Sequence, residues 1–390
     1  MNRRTLRGAS LGVMLALLAA ITGDRSALGQ LRAKGRTASR PAPGPPTTDT
    51  TARPTLACVH RQDIEAWPLR RQAAQILMIA VQSSDLGPAR SWVSNLQIGG
   101  LLVRGTSLTM GSDLQTLRTL ADPPPILAAD EEGGRAQRLR DVLGVLPSAR
   151  RMAATLTTAR VRVLARDHAL KMRALGLTMN LAPDVDLTDA DNSIGTRSFS
   201  GNADITIAFA TAFARGMIDG GVFPVLKHFP GHGSATGDSH MLQPDTPPLD
   251  VLRGADLLPF LAIPRRIDVG VMVGHLRVPG TDDLPATISS SLITGVLRNE
   301  LGFRGLIVTD ALSMLPIRAR YSTPDAAVHA LAAGADLLLF DEEKDVEPIV
   351  NGLAEAAADP IVARQLVDAV MQVLAAKGYR DCDGPGPARR

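Results

Sequence analysis

The sequence is poor in cysteine and in aromatic residues, with two Cys, two Trp, two Tyr and eight Phe among 390 residues. Two cysteines exclude a small disulfide-dense scaffold. An aromatic content of 3% means that any core is built from Ala, Leu, Val and Ile. A long membrane-spanning run is also missing. The apolar stretch Leu11 to Ile21 stops at Asp24 and Arg25, short of the about 20 residues that a spanning helix needs. Net charge is small at +3, and it is uneven. Nine basic residues against two acidic ones fall before Thr55, which leaves the remainder at −4. A mildly acidic body with few aromatics argues against a nucleic-acid surface. What is abundant is apolar: 45% hydrophobic against 21% charged residues suffices for a sizeable core and excludes disorder throughout.

The N-terminus has the order of an export signal. Met1 to Arg7 is basic, an apolar run follows, and Ala27-Leu28-Gly29 offers small residues at a cleavage spacing. Residues 1–29 are therefore expected to be a signal peptide, with Arg3-Arg4 leaving open whether the route is general or twin-arginine. No cysteine near the end of the run could carry a lipid. Residues 30–55, rich in Pro, Thr, Ser, Ala and Arg, read as a disordered linker. Cys58 and Cys382 lie at the two ends of the body, which a closed barrel brings together, so one disulfide is expected in an exported protein. Residues 56–383 form the folded domain in this reading and 384–390 a disordered tail.

Eight apolar, β-rich runs recur through that body: Gln75–Val81, Ile98–Arg104, Pro125–Asp130, Leu177–Asp186, Phe223–His228, Val269–His275, Gly305–Asp310 and Ala335–Phe340. Segments with helical period, such as Ser148–Leu175 and Ala203–Gly220, lie between them. Apolar runs bracketed by helices indicate a parallel sheet covered on its faces, and eight of them favour an α/β fold of the (β/α)8 TIM-barrel type. No Gly-x-Gly-x-x-Gly turn supports an open dinucleotide-binding sheet. Five of the runs end in polar residues: Asp130; Asp184 and Asp186; Lys227 and His228; His275; and Asp310. A barrel brings these ends to one face, which marks them as a shared site.

The densest segment is Lys227-His228-Phe229-Pro230-Gly231-His232-Gly233, followed by Asp238-Ser239-His240. Asp238 can hold one ring nitrogen of His240 and leave the other to exchange a proton. His228, His232, Asp238 and His240 are equally acceptable as metal ligands on residue type alone. His232, in a Pro-Gly turn, is expected to be structural.

This segment resembles the signature of glycoside hydrolase family 3, in its bacterial β-N-acetylhexosaminidase branch. The resemblance extends to Asp130-Glu131-Glu132-Gly133-Gly134-Arg135-Ala136-Gln137-Arg138, Asn180 to Asp186, Ile194 to Phe199 and Thr309 to Met314, in the family's order. It implies a retaining exo-β-N-acetylglucosaminidase acting on peptidoglycan fragments or related glycans. Asp310 is then the nucleophile, His240 the general acid and base, and Asp238 its orienting partner. Asp130, Arg138, Arg197, Lys227 and His228 are the sugar-binding residues. The family alternatives are a phosphorylase using phosphate as acceptor, or a β-glucosidase. Outside them stand a metal-dependent hydrolase and a non-catalytic wall-binding barrel. No metal or organic cofactor is implied, the partner is a carbohydrate, no nucleic acid or stable membrane span is expected, and a monomer, secreted or associated with the cell wall, is the expected form. Relatives acting on plain glucosides carry the acid/base carboxylate on a second domain, for which this chain is expected to have no room. Arg135, unlike Arg138, does not match the family's binding position and is expected to be structural, Asp184, Asp186 and His275 receive no firm role at this level, and Asp341-Glu342-Glu343 reads as solvated surface.

Overall fold

The computed structural model describes residues 57–237, 243–341 and 345–384. All belong to the unit Pro54–Arg390. Asp238 and His240, the leader, the whole linker and residues 385–390 lie outside the described residues.

Eight parallel strands form one sheet: β1 (Leu77–Gln82), β2 (Gly100–Arg104), β3 (Ile126–Ala129), β4 (Met179–Asn180), β5 (Phe223–Phe229), β6 (Gly270–Val273), β7 (Ile307–Thr309) and β8 (Leu338–Phe340). Their order is β7-β6-β5-β4-β3-β2-β1-β8. The ring is nearly closed by a bridge between Val308 and Leu337, with Thr309 N donating to Leu337 O at 3.0 Å. This barrel-like parallel sheet with surrounding helices is consistent with a TIM barrel. Leu, Ile, Val and Ala dominate the strands because both faces are covered, the inner by side chains from other strands and the outer by helices.

All eight runs carry a strand, and all but β5, which extends one residue past its run to Phe229, start later or end earlier than the apolar run that marked them. Gln75, read as the start of the first strand, instead closes the helix Leu69–Gln75. The fourth run is a strand only at Met179–Asn180, followed by an isolated bridge from Asp184 to Lys227. The helical stretch from Ser148 to Leu175 is two helices, Ala149–Thr155 and Thr158–Ala174. Leu156 is extended, and Thr157 caps the second helix by accepting from Arg160 N at 3.3 Å. That second helix packs closely on Ala203–Asp219 because Gly216 has no side chain. A Cβ there would lie 2.3 Å from Arg162 O.

Cys58 and Cys382 are disulfide-bonded, with Cα atoms 5.2 Å apart. The flanking pairs Cys58–Val59 and Arg380–Asp381 form a two-stranded parallel sheet. Among the described residues no helix is long and apolar enough to cross a membrane.

Candidate active site

The strand ends converge on a cavity of about 340 Å³. Asp130, Glu132, Arg138, Arg197, Lys227, His228, His232 and Asp310 line it together. Six of these were expected at the site from sequence: Asp310 as nucleophile and Asp130, Arg138, Arg197, Lys227 and His228 as sugar ligands.

After β3 the chain makes a small hairpin, Glu131–Gly133 with Ala136–Gln137, in which successive side chains alternate in direction. Glu131 turns inward and anchors the hairpin. It accepts from Leu139 N (2.6 Å) and Gln137 Nε2 (3.0 Å), and lies 2.9 Å from His168 Nε2. Its neighbours Asp130 and Glu132 therefore face the cavity. Gly133 has φ +100° and sits against Pro147, where a Cβ would approach the Pro147 carbonyl to 2.1 Å.

Glu132 is the hub that sequence reasoning missed. Its carboxylate accepts two hydrogen bonds from the Arg197 guanidinium, both 2.8 Å, and lies 2.7 Å from Lys227 Nζ. Lys227 also donates to Asp130 at 2.8 Å. Burial alone would raise the Glu132 pKa, but Arg197 and Lys227 outweigh it and hold the carboxyl well below the usual range. Burial likewise opposes the charge on Lys227, yet Asp130 and Glu132 hold its pKa above the ordinary value. The network thus presents a fixed ammonium and guanidinium at the cavity wall. The signal was available in the alternation, since if Asp130 faces the site then so does Glu132.

His228 stands beside this pair. Burial lowers its pKa, and Arg197 and Lys227 push the same way against the opposing pull of Asp186. The ring is therefore neutral near pH 7. Its Nδ1 lies 2.7 Å from Asp186 Oδ2 and donates there, so Nε2, 3.4 Å from Arg197 Nη2, is the acceptor. Asp186 also receives His232 N at 2.5 Å. Burial works against its charge, but His228 and His232 keep its pKa low. In neighbouring Asp184, burial and the Asp186 charge push the pKa well above the ordinary value. These two acids hold the site rather than line it.

Asp310 follows β7. Its backbone N–H donates to Val273 O at 2.8 Å, and its Oδ1 accepts from Ala311 N at 2.8 Å. Among the described residues no hydrogen bond reaches its other carboxylate oxygen, which is left for a ligand. Burial tends to raise its pKa, but His275, His228, the Ala311 N–H and Lys227 together lower it, so the carboxylate is ionised. His275 is buried behind this loop, with Nε2 2.8 Å from Ala311 O and Nδ1 2.9 Å from Thr287 Oγ1. It braces the turn at Asp310 and does not line the cavity.

Two further residues belong to this wall. Arg135 donates to the carbonyls of Ser193 and Ile194 and so holds the loop above the cavity. Asp341, expected to be solvated, pairs with Arg104 at 2.7 Å, and both line the cavity. Among the described residues one group could hold a metal, Asp184, Asp186 and His228, with ligand atoms within 4.8 Å. Within it His228 Nδ1 is held by Asp186 and Asp184 Oδ1 by the Asp186 N–H (2.9 Å), while Asp184 Oδ2, 3.4 Å from Arg197 Nη2, has no hydrogen-bond partner among the described residues.

A half-buried, ionised carboxylate in a cavity with ion-paired Lys227 and Arg197 and a neutral His228 suits nucleophilic attack on a neutral, hydroxyl-rich substrate. The family model described as the glycosyl hydrolase family 3 N terminal domain matches residues 68–376. A β-hexosaminidase of Mycobacterium tuberculosis, LpqI, is 41% identical over 323 residues, covering 79% of this chain and 82% of that protein. A family 3 glycosyl hydrolase from Mycobacterium smegmatis superposes with a TM-score of 0.76 at 41% identity, over 83% of this chain and 99% of that one. A family 3 β-N-acetylglucosaminidase from a Paenibacillus strain superposes with a TM-score of 0.75 at 31% identity, over 80% and 62% of the two chains.

Proposed function

Starting from the premise that the chain belongs to glycoside hydrolase family 3, we propose that it is a retaining exo-β-N-acetylglucosaminidase releasing terminal N-acetyl-β-D-glucosamine from peptidoglycan fragments or related glycans. The observation that carries this reading is the ionised Asp310 carboxylate with one free oxygen, facing Lys227, Asp130, Glu132, Arg197 and His228 across a cavity of one-sugar size.

In the proposed mechanism Asp310 attacks the anomeric carbon as the glycosidic C–O bond breaks. The departing oxygen takes a proton from His240, which Asp238 orients. The glycosyl–Asp310 ester is then hydrolysed by water that gives its proton back to His240, with net retention. Lys227 and Arg197 donate to sugar hydroxyls, Asp130 and His228 Nε2 accept from them, and Arg138 closes the rim. Because Lys227 and Arg197 are neutralised by Glu132 and Asp130, they bind hydroxyls without attracting an anion into the site.

The same reading makes residues 1–29 an export leader, 30–55 a spacer and 56–383 the catalytic barrel, which would place a monomeric enzyme at or beyond the cell wall. N-terminal sequencing of the exported protein tests it. The activity is tested with p-nitrophenyl N-acetyl-β-D-glucosaminide and wild type, Asp310→Ala and His240→Ala. Near-complete loss in the first variant and a partial loss in the second are expected. Turnover indifferent to Asp310 would refute the assignment.

A further inference from the structure

The loop after β5, whose sequence carries Asp238 and His240, is tied down at both stems. On the outgoing stem Asn192 Nδ2 donates to Gly233 O at 3.1 Å, and Ser234 Oγ donates to Asp256 Oδ1 at 3.0 Å. Thr236 then bridges to Asp245, with Thr236 N donating to Asp245 O at 2.9 Å, so the chain leaves after Thr236 and returns at Asp245. Gly237, at φ +105°, turns the chain out of that bridge. The returning stem is held by the loop after β6. Arg277 N donates to Pro244 O at 3.0 Å, and Thr246 N donates to Arg277 O at 2.9 Å. The Arg277 guanidinium also grips the Asp245 carboxylate at two points, Nε to Oδ1 at 2.6 Å and Nη2 to Oδ2 at 2.7 Å. Both side chains are 40% exposed, and neither lines the cavity. An ion pair so exposed adds little to stability, whereas its two-point geometry fixes direction as well as distance.

We propose that Arg277 is a positioning residue for proton transfer, holding through Asp245 the stem from which His240 serves the glycosidic oxygen. This rests on the reading of His240 as general acid and base, and adds to it the group that sets its reach. His240 is four residues from Thr236 and five from Asp245 in the chain. At no more than about 3.5 Å per residue, a segment that short cannot be placed independently of its ends. Proton transfer needs its donor held within about 0.5 Å of the productive position. The exposed pair therefore acts where precision is needed and stability is not. Asp310 is fixed by Val273 O and Ala311 N, independently of Asp245. Loosening Asp245 thus weakens protonation of the leaving group and spares the nucleophile.

The test is kcat/KM of the full chain as wild type, Arg277→Gln, the near-isosteric Asp245→Asn and His240→Ala on two substrates. N,N′-diacetylchitobiose has a sugar leaving group that needs a proton, and 2,4-dinitrophenyl N-acetyl-β-D-glucosaminide has one that does not. Because kcat/KM covers only the steps up to departure of the leaving group, hydrolysis of the glycosyl-enzyme does not enter. Arg277→Gln and Asp245→Asn should each lose about tenfold on the disaccharide, part of the roughly 10²–10⁴-fold that a general acid supplies, and less than about twofold on the dinitrophenyl substrate. Their Tm should stay within about 2 °C of wild type. In the His240→Ala background, Arg277→Gln should lose nothing further. Equal losses on both substrates, no loss on either, or a further loss in the His240→Ala background would overturn the proposal while leaving His240 as the acid. Failure of the underlying reading looks different: His240→Ala itself would then lose equally on both substrates, and the role of Arg277 would fall with it.

Discussion

Replacing Glu132 tests the charge network most severely. The Glu132 carboxylate is 5% exposed and meets Arg197 twice and Lys227 once. In Glu132→Ala the lysine keeps Asp130, and the arginine keeps the more distant Asp184 and His228 Nε2, each at 3.4 Å. Leaving a buried guanidinium without its main partner costs about 3–5 kcal/mol. At roughly 2 cal/mol/K per residue, a body of about 330 residues loses about 0.7 kcal/mol per degree, so Tm should fall by about 4–7 °C. Lys227 and Arg197 would also drift, and kcat/KM should drop roughly a hundredfold. Glu132→Gln keeps two polar atoms but no charge and should lose less in Tm. The pH dependence has a defined sign. Because the native pKa is depressed, the stability that the charge contributes is fully present above the unfolded value near 4.5 and is lost only as pH falls through the native pKa. The wild type should therefore keep its advantage over Glu132→Gln from about pH 5 to 8 and lose it below about pH 4. Calorimetry across pH measures this. A Glu132→Ala variant within about 1 kcal/mol of wild type, or an advantage that already fades near pH 6, would refute the reasoning.

Asp336, bonded to Arg298 (2.5 Å) and to Ile307 N (2.7 Å), has its pKa raised by burial to about 6. A raised pKa gives stability that is present below the unfolded value and lost as pH rises, so wild type should lose about 3 kcal/mol relative to Asp336→Asn between about pH 4 and 7 in denaturant titrations. The Cys58–Cys382 bond closes a loop of 324 residues, for which chain entropy gives up to about 6 kcal/mol. Changing both cysteines to Ser should lower Tm by several degrees, and reductant should then have no further effect. A chelator should leave hydrolysis unchanged, since no step of the proposed mechanism uses a metal. Activity abolished by chelator and restored by zinc would contradict that.

The barrel was legible because each strand is covered on both faces and must be apolar along its length, while polar residues are confined to the ends. That pattern alone puts Asp130, Lys227, His228 and Asp310 at one mouth of the barrel, where all four line the cavity. Strand ends were not legible to the residue: Gln75 is compatible in composition with a strand yet sits in a helix, since hydrogen bonding decides and hydrophobicity does not. Thr157, a cap signal inside a helical period, was the available clue to the break at Leu156. Glu132 escaped because one acid in Glu131-Glu132 points inward and the other into the cavity, a distinction that only the hairpin makes. Asp341 was misread because two further acids follow it, although its backbone is pinned to Ser313 and its charge is met by Arg104. Asp238 and His240, legible as a dyad from spacing and resemblance, lie outside the described residues.

The central claim is that Asp310 forms a covalent bond to the sugar. Incubation with a slow 5-fluoro N-acetylglucosaminyl fluoride, followed by peptide mass spectrometry, measures it directly. The account predicts one added glycosyl group on the peptide carrying Asp310, absent in Asp310→Ala. Labelling of a different carboxylate, or steady turnover by Asp310→Ala, would contradict it.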